Sequence, residues 1–221
     1  MSDDLALATV ELLGALTYAQ LRAFEVAAGA IRHAPDVRAA DRVAAFAVTE
    51  HQAYRRLRDR LEQLTDLPEP PMDHQKARVD AFFDGLPVDD WVSASTFFAV
   101  GLPMAADFAR AVAPALDPDT AAAVVEALAE RHGFERYASE QVAMEVARGS
   151  EPHQRVRRLT AEIAGSALTE FQGAVTSTDA LLLLLERLEE HVGDEVLRHT
   201  AVALLEQHRR RMAAIGVDSP E

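Results

Sequence analysis

Apolar side chains recur along this chain at alternating steps of three and four, in four long stretches. That spacing returns a side chain to one face of an α-helix, so it predicts helices with one buried stripe each. The first runs from about Asp4 to Arg32, with a stripe of Val10, Leu13, Thr17, Gln20, Phe24, Ala27 and Ile31. The second, from about Asp36 to Thr65, carries Ala40, Val43, Ala47, Glu50, Tyr54, Leu57, Leu61 and Leu64. The third, from about Asp89 to Leu116, carries Trp91, Ser95, Phe98, Leu102, Ala105, Ala109 and Val112, with Pro103 as the expected kink. The fourth follows the turn LDPDT, whose Pro118 suits a first helical position. It extends to about Arg148, and one face reads Ala123, Ala127, Glu130, Phe134 and Tyr137. No stretch alternates with a period of two, so no strand is expected.

Between the second and third helices, DLPEPPMDH (66 to 74) is too rich in proline to be helical, and a short helix follows around Gln75 to Asp84. Beyond Arg148, GSEP opens a fifth helix of about Glu151 to Val175, and two more cover about Asp179 to His191 and Asp194 to Ala214. Four long helices, paired as hairpins and joined by one long crossover, predict an all-α, ferritin-like four-helix bundle with additional C-terminal helices. The expected organisation is one domain over residues 1–221, with a core bundle of about 4–148 and accessory helices of about 151–214.

Composition narrows the chemistry. There are no cysteines among the 221 residues, which excludes disulfides, thiolate zinc sites and a cysteine nucleophile. The net charge of −14 argues against phosphate-driven binding of nucleic acid. Arginines do cluster, at 55, 56, 58 and 60, at 155, 157 and 158, and at 209 to 211, but acids alternate with most of them as on a solvated helix face. The start MSDDLALATVELL lacks the basic residues of a signal peptide, and the longest aliphatic run, leucines 181 to 185, is far too short to span a membrane. A soluble, cytoplasmic protein without membrane association is expected. The five leucines surround their helix, so part of that surface needs cover from the last helix or from a second subunit. A homodimer is expected, and no other protein partner is identifiable.

Gln20, Glu50 and Glu130 are polar residues on inward faces. Counting back from the loops near Pro35 and Pro118 places Gln20, Glu50, Leu102 and Glu130 in one layer. A carboxylate-bridged di-metal site in such a bundle needs a carboxylate from each of two helices and Glu-x-x-His from each of the other two. The positions three beyond Glu50 and Glu130 are Ala53 and Gly133. His51 and His132 lie close by, and Glu135, three beyond His132, could join it, but only a π-bulge or a register slip would turn either histidine inward. Without metal, a buried carboxylate needs a partner. Gln20 is placed to donate to Glu50, and Arg131, Tyr18, Tyr54 or Tyr137 to serve Glu130. His208 falls on the last helix's stripe as a core or interface histidine. SALTE (166 to 170) has no nucleophile elbow, and no glycine loop suited to phosphate is present.

The segments LLGALTYAQLRAF (12 to 24), AVTEHQAYRRLRDRL (47 to 61), AADFARAVAPALDPDT (105 to 120) and HRRRMAAIGV (208 to 217) carry a resemblance. They resemble the bacterial ferritin-like proteins related to tRNA-(2-methylthio-N6-isopentenyladenosine) hydroxylase, in the divergent branch of high-GC bacteria. The resemblance implies a glutamate at the position of Gln20, Glu-x-x-His from Glu50, an acid near Leu102, and acid-x-x-His from Glu130. Only Glu50 and Glu130 carry over; Gln20, Ala53, Leu102 and Gly133 depart, a degenerate di-iron ligand set. The resulting expectation is a protein without cofactor, acting as a non-catalytic, dimeric binding or scaffold protein. The alternative is a di-iron oxygenase or hydroxylase with displaced ligands from Glu50, His51, Glu130, His132 and Glu135, acting on a modified nucleoside or another organic substrate. Iron storage, which would need both oxidase carboxylates and a shell assembly, stands third.

Overall fold

The computed structural model describes residues 3–177, 180, 182–184, 186–187 and 196–217, and every regular element among them is helical. α1 (Asp3–Ala30) and α2 (Val37–Leu64) are 28 residues each and pack along one another as a hairpin. A tight turn at Ile31–His33 closes the first, and Asp36 starts the second, its carboxylate accepting from the Ala39 amide at 2.8 Å. The shared face is small: Ala23, Ala27 and Ala30 are buried on one side, Ala39, Val43 and Ala47 on the other. Small side chains let the axes approach.

The stretch 66 to 74 corrects the sequence reading, because α3 (Glu69–His74) is helical. Its prolines fall in the first turn, where the amides have no intrahelical acceptor to lose. α3 crosses α1 at Gly14, where a Cβ would lie 2.6 Å from the Pro71 carbonyl. α4 (Lys76–Asp84) then follows α1, held by Tyr18 Oη donating to Asp80 at 2.6 Å and by Arg22 pairing with Asp84 at 2.5 Å.

The third long helix is not uniform. Asp90 and Ser93 form a capping box that starts α5 (Trp91–Thr96), a wide π turn covers Phe97–Gly101, and α6 (Leu102–Val112) continues. In the π turn the Leu102 amide reaches the Phe97 carbonyl. Pro103, the expected kink, has no N–H to give the preceding turn, and the widening sits directly before it. The bulge falls here, not at His51 or His132. The stretch Trp91–Ala115 is long and apolar enough to cross a membrane, yet 83% of its most apolar 18-residue window is buried inside the bundle.

The fourth helix, expected to run unbroken to Arg148, is divided. α7 (Pro118–Ala127) gives way to a tight turn at Ala129–Arg131, and α8 (His132–Val146) follows. Its buried stripe is Val124, Leu128, Arg131, Ala138 and Val142. The sequence reading chose the stripe one residue earlier, so Glu130, expected inward, faces solvent and Arg131 faces the core. A shift of one residue is about 100° of rotation, enough to exchange an inward for an outward side chain.

α9 (Ser150–Ser177) packs on α8 and the π turn, close enough that a Cβ at Gly101 would meet Ile163 at 2.9 Å. α10 (Val196–Ala214) seats the buried Met212 against the bundle, followed by buried Ile215, and pairs Arg211 with the buried Asp107 of α6, which Arg110 also contacts at 3.2 Å. His208, placed on this stripe by the sequence, is half-buried, and burial, with Arg211 nearby, pushes its pKa down. Of the leucine run, Leu184 is fully buried and Leu182 exposed; Leu181 and Leu185 lie outside the described residues. The architecture is the expected all-α bundle with a long crossover and added C-terminal helices.

Two apolar clusters fill the core. One gathers Ala27, Phe46, Phe98, Val142, Ile163 and Ile215; the other gathers Leu13, Leu57, Leu61, Val112, Val124 and Leu184. Along α1 and α2 the buried polar residues Thr17, Gln20 and Glu50 lie between them.

Candidate functional site

The α1–α2 hairpin brings Gln20 opposite Glu50, and the turn after α7 brings Arg131 in beside them. The three side chains close a ring. Gln20 Nε2 donates to Glu50 Oε2 at 2.7 Å and to the Glu50 carbonyl at 3.2 Å. Arg131 Nη2 donates to Glu50 Oε2 at 2.5 Å and to Gln20 Oε1 at 2.6 Å. A carboxylate and a cation on either side fix the amide's orientation, nitrogen toward Glu50 and oxygen toward Arg131. The Glu50 side chain is 0% exposed and that of Arg131 is 3% exposed, so this is an ion pair removed from water.

The ring is not saturated. Glu50 Oε1 and Arg131 Nε are buried without a hydrogen-bond partner. Burial pushes the Glu50 carboxyl up from the usual carboxylate range; the Arg131 charge and the bonds from Gln20 and Arg131 oppose it, while the Glu135 carboxylate adds to it.

None of the remaining residues singled out in the sequence hydrogen-bonds to this ring, although Glu135 lies near it. His51 is exposed on α2, its ring edge-on to Phe24 at 5.2 Å. Glu130 is exposed and reaches Arg56 at 3.3 Å. His132 is exposed, with Nδ1 3.2 Å from Glu135, whose side chain is largely buried. Ala53 and Leu102 are buried, and Gly133 is exposed with open space where a Cβ would be. The structure thus brings Gln20 and Glu50 together, as the spacing predicted, leaves His51, Glu130 and His132 exposed, and holds the largely buried Glu135 carboxylate near enough to act on Glu50 without bonding to it. Among the described residues, no three His, Asp or Glu side chains converge on a common point.

Sequence reasoning placed Arg131 near the layer but gave it to Glu130. The signal for its true place was the larger aliphatics Val124, Leu128 and Val142, which share its face, against the alanines chosen.

Against this layer lies a cavity of about 210 Å³ between α1, α4, α6 and α7. Its walls are almost wholly apolar, and Gln20, Leu102 and Arg131 are among its lining residues. Ala15, Leu16 and Ala19 of α1 and Val79 and Phe82 of α4 are partly exposed, so the cavity reaches solvent between these helices.

No match was found among curated proteins. A family model described as a ferritin-like domain of actinomycetes matches residues 4–187, which covers the bundle, the crossover and most of the accessory region. With a matched span of that extent and an all-helical bundle of the same class, the chain belongs to the ferritin-like domain family of actinomycetes.

Proposed function

We infer that this ferritin-like chain is a non-catalytic binding protein whose former metal layer is held together by Arg131. The observation that carries the reading is the position of the guanidinium: it donates to both Glu50 and Gln20 at the level where such a bundle would gather a cation. A fixed positive charge balances the Glu50 carboxylate and repels a metal dication. The donor set points the same way, because Leu102 offers no ligand and Ala53 and Gly133 stand where histidines would be needed.

The competing reading, a di-iron hydroxylase related to the tRNA-modifying enzymes, needs His51, Glu130, His132 and Glu135 to converge with Glu50. Their side chains are engaged elsewhere, at Phe24, at Arg56 and with each other. The reading includes a dimer, supported by the exposed apolar residues Leu182, Val202 and Leu205 in the C-terminal part of the chain. Light scattering should then give twice the 24.1 kDa chain mass.

The test is metal content by plasma mass spectrometry on untagged protein from iron-supplemented cells. Iron well below one per chain is expected for the wild type. One or two irons per chain, lost in Glu50→Ala, would overturn the reading.

A further inference from the structure

The cavity beside the polar layer has a direction. α1 lines it from Leu12 to Ala23, α4 from Gln75 to Phe83 and α6 from Leu102 to Ala109, each at steps of three or four. It therefore runs along the helix axes, and at ~1.5 Å per residue the α1 wall alone extends for ~16 Å. Spread over that length, about 210 Å³ is a narrow slot. A partner helix, ~10 Å across, does not fit. A slender chain does. An apolar space of ~150 Å³ holds benzene, and the same proportion gives about eight carbons here.

Charge selects the head of that chain. The charged side chains among the described lining residues are Glu11, Arg78, Arg131 and Glu170. Arg131 is held by Glu50, and Glu11 lies 2.9 Å from His74 Nδ1. Arg78 is engaged in contacts of its own. Glu11, Arg78 and Glu170 are partly exposed and stand where the cavity meets solvent. A carboxylate head there meets two acids, and an ammonium head meets Arg78. An uncharged hydroxyl meets neither objection, and the neutral Gln75 amide stands at the same rim. At the floor, Gln20 uses both amide atoms within the ring, so it asks no polar group of the buried end.

We propose that this cavity binds a neutral, unbranched aliphatic alcohol of medium length, its chain laid along α1 and its hydroxyl at the solvent-reaching rim. The proposal gives a ligand class to the non-catalytic binding protein inferred above and rests on that reading.

The test is calorimetric titration of the full chain at pH 8 with 1-butanol, 1-hexanol, 1-octanol and 1-decanol, and with octanoate and octylammonium. Affinity should rise about fourfold per methylene as far as 1-octanol and then level off as the cavity fills. 1-Octanol should bind roughly fivefold or more tighter than either ion. Glu170→Gln should strengthen octanoate binding and leave that of 1-octanol unchanged. Ala19→Leu and Ala105→Leu, on α1 and α6, fill the slot and should each remove binding while the helical signal is retained. Tighter binding of octanoate or octylammonium would make this an ion site, and affinity indifferent to chain length would mean unspecific surface binding. Either result, or no binding of any alcohol, overturns the proposal, as does full affinity in both folded leucine variants. The chain-length series uses the unaltered protein and stands whether or not those variants fold. Metal content of the same preparation separates the two readings. Iron in the protein defeats the metal-free layer whatever the alcohols do, whereas metal-free protein that binds no alcohol defeats only the ligand assignment.

Discussion

Arg131→Met tests the ring most directly. Methionine is unbranched, apolar and fills a similar volume, so the substitution removes the charge while leaving the site packed. It leaves Glu50 fully buried, with Gln20 as its remaining donor. Breaking a buried pair by removing one partner costs about 3–5 kcal/mol. Unfolding of a chain this size shifts by ~2–4 °C per kcal/mol, so the midpoint should fall by roughly 6–20 °C at pH 8.

The loss should depend on pH with a definite sign. Burial already holds the Glu50 carboxyl above its ordinary range, and removing Arg131 raises it further. An acid whose folded pKa is raised binds more protons folded than unfolded. Stability is therefore greatest below the ordinary carboxylate range and is lost as pH rises through the folded value. Arg131→Met should be closest to wild type near pH 5.5 and fall behind as pH rises to 8.5. Glu50→Leu combined with Arg131→Met removes both charges and should recover to within about 1 kcal/mol of wild type or exceed it. The assay is urea unfolding followed by circular dichroism across that pH range. A deficit in Arg131→Met independent of pH, or a double variant as weak as the sum of the single ones, would refute the ion-pair account.

Other positions give sharper structural checks. Gly14→Ala places a Cβ 2.6 Å from the Pro71 backbone and should cost more than the helix-propensity gain of about 1 kcal/mol returns. Gly165→Ala, inside α9 with nothing within 4 Å, should instead stabilise by up to about 1 kcal/mol; opposite signs in denaturant unfolding confirm both placements. Arg211→Ala removes the α10 cation from Asp107, leaving Arg110 and the Gln207 amide, and amide hydrogen exchange in α10 should speed up more than in α1 or α2. Asp90→Ala loses the capping box that begins α5, worth about 1 kcal/mol. The upward push of burial on Asp90 is outweighed by the Ser93 amide and Arg155, so its pKa is lowered. The stability it gives is present above the ordinary aspartate range and lost as pH falls through the folded value, so the variant's deficit should shrink in acid.

The hydrophobic spacing was sufficient for the helices, because burial of one face is a local property of a period near 3.6. It placed Leu13, Val43, Leu57, Phe98 and Val112 inside, and it set Gln20 opposite Glu50 because both lie the same distance from one short turn. The proline-rich crossover was misread, since composition alone does not reveal that Pro70 and Pro71 stand in a first turn where they do no harm. The fourth helix shows the limit more clearly. Two stripes one residue apart compete there, Ala123 with Ala127 and Glu130 against Val124 with Leu128 and Arg131, and each is periodic. What decides is the charge already buried across the bundle: Glu50 needs a cation, and only the second stripe supplies one. That preference belongs to a partner 81 residues away in the chain, and the local pattern carries only a weaker sign of it, the larger aliphatics Val124 and Leu128. The cavity has the same origin. Alanines on α1 and α6 are ordinary helix formers in sequence and become the wall of an open space only when those helices face each other.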